Sequence, residues 1–105
     1  GNAATVTNGV YTTDFTGTNQ SKSQSGYQKL PGGLIIQWGV SSGVTAANTW
    51  QVITTSITFP NASLFAAGSS ASLNSFGGAG KNGPTGIAVW GNNAGTAISY
   101  IAIGY

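Results

Sequence analysis

Gln51-Val52-Ile53-Thr54-Thr55-Ser56-Ile57-Thr58-Phe59 is the stretch that decides the fold. Ile53, Thr55, Ile57 and Phe59 fall on one side of an extended chain, and Val52, Thr54, Ser56 and Thr58 on the other. That period of two marks a strand with one buried face, and Pro60-Asn61 stops it. Upstream, Leu34-Ile35-Ile36-Gln37-Trp38 reads as a second strand, with Leu34, Ile36 and Trp38 expected on the core face and Gln37 on the other. Downstream, Ile87-Ala88-Val89-Trp90 and residues 97–103 read as an antiparallel pair joined by a turn at 91–95. In the last strand Ile101 and Ile103 face one way, Tyr100 and Ala102 the other. Residues 62–67 fit either one or two turns of helix ended by Gly68 or a short strand. The Gly/Ser/Asn segment 68–86 is too long for a plain connection and calls for a function or an irregular strand inside it. Nowhere do apolar residues recur at helical spacing, and good helix formers are scarce beside 17 glycines. The expected fold is all-β, a small antiparallel β-sandwich.

The N-terminal part differs. Asn8-Gly9 between Thr5-Val6-Thr7 and Val10-Tyr11-Thr12 is a hairpin signal. Residues 17–26 are low-complexity Ser, Gln, Asn and Thr, unable to form a core and read as a linker or extended stalk. The boundary is therefore drawn near Gly26, with residues 1–26 as linker and 27–105 as the β domain.

Chemistry is bounded by what is missing. Charged residues make up 4% of the chain, against roughly 25% in ordinary soluble proteins. They are Asp14, Lys22, Lys29 and Lys81, and there is no Glu, His, Cys, Met or Arg. Acid–base catalysis needs paired titratable groups, and metal centres need His, Cys or carboxylate ligands. The expectation is no enzyme, no catalytic residue, no metal and no cofactor. Three scattered lysines cannot supply the clustered charge that phosphate neutralisation requires, which argues against nucleic acid. No apolar run approaches the ~18 residues of a membrane span. With no Met anywhere, residue 1 is not expected to be a natural start, and the chain reads as part of something longer. A domain this small buries only about 60–65% of its unfolded surface. Without disulfides or metals, oligomerisation is the remaining remedy.

One stretch is more specific than its composition. Gly26-Tyr27-Gln28-Lys29-Leu30-Pro31-Gly32-Gly33-Leu34-Ile35-Ile36-Gln37-Trp38-Gly39 resembles the opening of the C-terminal domain of tail fibres from contractile-tailed phages and R-type bacteriocins, the gp53-like domain. Phe59-Pro60-Asn61-Ala62 and the terminal Tyr100-Ile101-Ala102-Ile103-Gly104-Tyr105 follow in the family's order, and residues 3–13 look like shaft sequence. The resemblance implies a homotrimer at the distal end of a virion's tail fibre. Such a tip binds a bacterial surface glycan, usually lipopolysaccharide, or an outer-membrane receptor, and an assembly chaperone is a further partner. It also leaves open a purely structural trimerisation cap, and an entwined barrel-like trimer in place of a sandwich. With no His, the iron-bearing needle of some fibre tips is excluded, and the lone Asp14 does not make the carboxylate pair of a tailspike glycosidase.

A glycan site would use exposed aromatic faces flanked by amide or amine groups. The candidates are Trp50, Asn48, Lys81, Asn82, Trp90, Asn92 and Asn93. Each has a plainer role. Trp38, in phase with Leu34 and Ile36, is expected in the core, and Trp90 sits beside Val89 and Ile87 and leans the same way. For Trp50, exposure and burial are both open. Asn92 and Asn93 suit a turn tip. Lys81 sits in a Gly-rich run that fails the phosphate-loop pattern, because Asn82 follows it.

Overall fold

The computed structural model describes Gly9 and residues 11–105, so the hairpin expected around Asn8-Gly9 lies outside the described residues. Eight strands follow in order: β1 (Gln20–Ser21), β2 (Gly26–Lys29), β3 (Ile35–Val40), β4 (Gln51–Ile53), β5 (Ser63–Ser70), β6 (Gly77–Asn82), β7 (Gly86–Gly91) and β8 (Ile98–Gly104). They form a five-stranded sheet in the order β1-β2-β3-β8-β5 and a three-stranded sheet in the order β4-β7-β6, with every pairing antiparallel. The chain is all-β, as its alternation requires. Residues 20–21, within the stretch read as a linker, pair with β2 at the sheet's edge.

The β2–β3 hairpin follows from its turn residues. Pro31 sets the first central position and Gly32, at φ 98°, the second, and the Gly33 N–H donates to the Leu30 carbonyl at 3.1 Å. This is a type II turn, where only glycine takes the positive φ without strain. At the same end of the sheet, beyond Gly104 of β8, Ala62 and Tyr105 exchange both backbone hydrogen bonds (2.8 and 2.9 Å), locking Tyr105 onto the start of β5.

Between the sheets lie Ile35, Phe59, Ile87, Tyr100 and Ala102, with Val44, Val89 and Ile98 in an adjoining cluster. Burying each large side chain contributes about 1.5–3 kcal/mol. Three expectations are corrected here. First, β3 is turned over: Ile35, Gln37 and Gly39 face the core, while Ile36 and Trp38 stand half-buried on the outside and Leu34 is exposed. Gln37 is fully buried because both ends of its amide are matched. Its Nε2 donates to the Ile57 carbonyl (2.8 Å) and its Oε1 accepts from the Ile57 N–H (3.1 Å), imitating a ladder pair. Gly39 fits inward because the Tyr100 ring lies across it; an added Cβ would come within 2.5 Å of the Tyr100 Oη.

Second, the 51–59 run keeps its alternation in burial, yet only Gln51–Ile53 joins a ladder. The rest is held by the Gln37 amide and by the buried Phe59. Third, β7 and β8 belong to different sheets, so residues 91–97 cross between layers instead of closing a hairpin. Residues 62–67 resolve as strand, and 68–86 contains the end of β5 and all of β6.

The core is small. Among the described residues nine hydrophobic side chains are buried, while ten large ones are exposed. The register sorts part of the exposed set. On the outer face of the large sheet, Ile36, Ile103 and Phe65 form one cross-strand row, and Trp38, Ile101 and Ala67 form the next. Paired residues in adjacent strands share a face, so these two rows form an apolar patch bordered by the Val40–Ser99–Ser69 row, and β3, β5 and β8 carry no charged residue.

Candidate functional site

The outer face of the small sheet carries a different surface. Val52 pairs with Ala88 in the register of β4 and β7, and Gly80 pairs with Ala88 from the other side. One step along, Trp90 stands opposite Gly78, and Trp50 precedes β4 in phase with Val52. The two indoles meet edge to face, centroids 6.4 Å apart and planes at 71°. Alternation along β6 then places Gly78, Gly80 and Asn82 on this face.

Those glycines make the surface possible. A Cβ on Gly80 would lie 3.7 Å from the Trp50 ring, and one on Gly78 only 3.0 Å from Trp90 Nε1. Both rings therefore rest against bare β6 backbone. Trp50 remains 59% exposed, and no hydrogen bond within the described residues engages the Trp90 indole N–H. Phe76, 65% exposed, extends the surface. Its N–H donates to Asn92 Oδ1 and its carbonyl accepts the Asn92 N–H, each at 2.9 Å, continuing the β6–β7 ladder by one pair.

The resulting platform of Trp50, Trp90, Phe76 and Val52, with the Asn82 amide on its border, carries no charge. Chemically it can stack flat apolar faces and exchange neutral hydrogen bonds, the two contacts a sugar ring offers.

Residues 29–105 match the family described as tail fiber protein gp53-like, C-terminal. This chain belongs to that family. An N-truncated R2-type pyocin tail fibre shares the fold, with a TM-score of 0.67 at 24% identity over 82% of this chain and 36% of that one. This tail-fibre domain thus spans little more than a third of the pyocin fibre's chain. No curated protein matches.

Of the residues singled out in the sequence, the fibre domain brings Trp50, Trp90 and Asn82 onto one face. Asn92 borders it, with Oδ1 committed to Phe76. Lys81, opposite Ile87 in the register, projects to the other side of β6. Asn48 adopts a left-handed φ of 54° and its N–H donates to the Gly91 carbonyl (2.7 Å), a turn role. The Asn93 carbonyl accepts from the Thr96 N–H (3.2 Å) and hydroxyl (2.8 Å), closing the turn after β7. Phe76 and Val52 join this face without a motif in the sequence that marks them. The available signal was the Phe76-x-Gly78-x-Gly80-x-Asn82 alternation, legible as a face only once Trp90 is known to lie opposite Gly78.

Proposed function

We propose that this tail-fibre domain is the receptor-binding tip, attaching to a neutral region of a bacterial envelope glycan through the Trp50–Trp90 face, without covalent chemistry. The observation behind this reading is an exposed indole, Trp50, set edge to face against the half-buried Trp90, the two laid over Gly80 and Gly78 with no charge among them. Large aromatics held open to water in so small a domain lose burial that its core needs, and a stacking partner restores it. Three copies, associated through the apolar outer face of the large sheet, present three such platforms to one envelope. Weak contacts then act together, because linked sites rebind at high effective concentration.

The test is adsorption of the labelled fibre to cells of the strain that its parent particle attacks. Losing one stacking contact costs on the order of 1 kcal/mol per copy. With three copies engaged, Trp50→Ala is expected to weaken cell binding roughly a hundredfold. Lys81→Ala, on the other side of β6, leaves it unchanged. Wild-type binding retained by Trp50→Ala refutes the reading.

The apolar face of the large sheet also favours a second reading, a trimerisation cap without receptor contact. Deleting the domain separates the two. Fibres that assemble but no longer adsorb support recognition, and loss of assembly supports the cap.

A further inference from the structure

A cleft of about 490 Å³ is lined by Val40, Ser41 and Ser42 and by residues 51–56, and meets the indole face only at Val52. Seven of its eleven lining residues carry hydroxyls and none is charged. Some hydroxyls are committed: Ser41 Oγ donates to the Ser42 carbonyl and accepts from the Ile98 N–H, Ser25 Oγ accepts from the Val40 N–H, and Thr55 Oγ1 donates to the Ile57 carbonyl. Among the described residues no hydrogen bond engages the hydroxyls of Ser42, Thr54, Ser56 or Tyr100.

Tyr100 stands apart from the other three. It is 7% exposed, its ring is part of the core, and its Oη emerges over Gly39 beside Ser25 Oγ at the cleft floor. No fully buried side-chain oxygen or nitrogen of the described residues lacks a partner, so the phenol keeps its hydrogen bonding through the cleft opening. A buried ring that delivers an uncommitted hydroxyl to a hydroxyl-lined cleft is a donor waiting for an acceptor.

We infer that this cleft is a second sugar subsite, holding one uncharged, hydroxyl-rich ring with the Tyr100 Oη donating to it. The volume falls within the roughly 300–1,000 Å³ of small-molecule sites. The absence of any lining cation selects against acidic sugars, whose carboxylate would be desolvated without a counter-charge. Burial also pushes the Tyr100 pKa up, keeping the phenol a protonated donor across the physiological range. The inference rests on the glycan reading of the tip but not on the indole face.

The experiment is an amide NMR titration of the whole chain with methyl α-glucoside, α-galactoside and α-mannoside, each to about 100 mM, since lone rings bind in the millimolar range. Saturable shifts at Ser41, Ser42 and residues 54–56 with at least one glycoside are expected. Tyr100→Phe, which removes one oxygen and keeps the ring, is expected to weaken them about tenfold, and Trp50→Ala to leave them intact. The inference is overturned if none of the three glycosides moves the cleft amides, or if Tyr100→Phe responds like wild type. It is also overturned if those amides move only on dilution, the sign of a neighbouring copy filling the cleft. Silence here with adsorption still dependent on Trp50 removes this subsite alone and leaves the tip reading standing.

Discussion

Replacing Gln37 with leucine tests the most unusual joint in the fold. The amide is fully buried and makes both hydrogen bonds to the Ile57 backbone. Leucine has nearly the same volume, so cavity formation is a minor contribution. What changes is satisfaction of polar groups. The Ile57 carbonyl retains the Thr55 hydroxyl at 2.5 Å, but its N–H is left without a partner. An orphaned donor costs about 1–3 kcal/mol and the lost carbonyl bond about 1 kcal/mol. The gain from a more apolar side chain offsets on the order of 1 kcal/mol. The net expectation is a destabilisation of about 2 kcal/mol. Urea unfolding followed by tryptophan fluorescence, at one fixed protomer concentration because association shifts apparent stability, should show a midpoint lower by roughly 1 M. Gln37→Glu sharpens the test. It keeps an acceptor for the Ile57 N–H but faces a second oxygen to the Ile57 carbonyl, and a proton restores the missing donor. Desolvation raises the carboxyl pKa in the folded state, so this variant's stability is retained below about pH 4.3 and lost as pH rises through the folded value. A leucine variant as stable as wild type, or a glutamate variant indifferent to pH, refutes the view that this amide stands in for a strand.

Two other outcomes follow from the same geometry. The Tyr100 pKa is raised by burial, so its contribution is fully present below the ordinary tyrosine value near 10 and is lost as pH climbs through the higher folded value. Alkaline unfolding should therefore begin above about pH 10 and be blunted in Tyr100→Phe, and identical alkaline profiles would contradict the burial. Ile101, 43% exposed between Trp38 and Ala67 on the outer face of the large sheet, should tolerate lysine in an isolated protomer but not in a trimer. Analytical ultracentrifugation is expected to show trimeric wild type and monomeric Ile101→Lys, whereas a stable wild-type monomer removes self-association from the account.

The strand content was legible because β-branched and aromatic residues alternate with polar ones and helix formers are scarce. Strand partners were not. Ile87-Ala88-Val89-Trp90 and residues 97–103 have the spacing of a hairpin, but Gly91 and Thr96 pack against each other where the chain changes layer. Local sequence does not encode that crossing. The phase of β3 misled for a sharper reason. Both of its faces are apolar enough to be the core, and the face that carries an amide and a glycine is the one that goes inside. Gln37 is acceptable there only because the Ile57 backbone, 20 residues away, meets both of its polar ends. Gly39 is acceptable only because the Tyr100 ring fills its place.

The same inversion explains why the domain has two unlike exteriors. Leu34, Ile36 and Trp38 have the pattern of a core strand, and so do Ile101 and Ile103, yet both sets lie on the outer face of one sheet, paired through Ile36–Ile103 and Trp38–Ile101. A surface assembled from core-type side chains, with no charge on its three main strands, is what a second copy of the chain can cover without electrostatic mismatch. The indole face cannot be explained in that way. Its rings are spaced by glycines instead of packed by aliphatic neighbours, and its border carries an unengaged Asn82 amide and the Trp90 N–H. Aliphatic rows gain from close packing against a like surface, whereas open rings with hydrogen-bonding edges gain more from a flat, hydrated partner. The proposed division, assembly through the large sheet and attachment through the small one, would leave neither set of side chains in unfavourable contact with water.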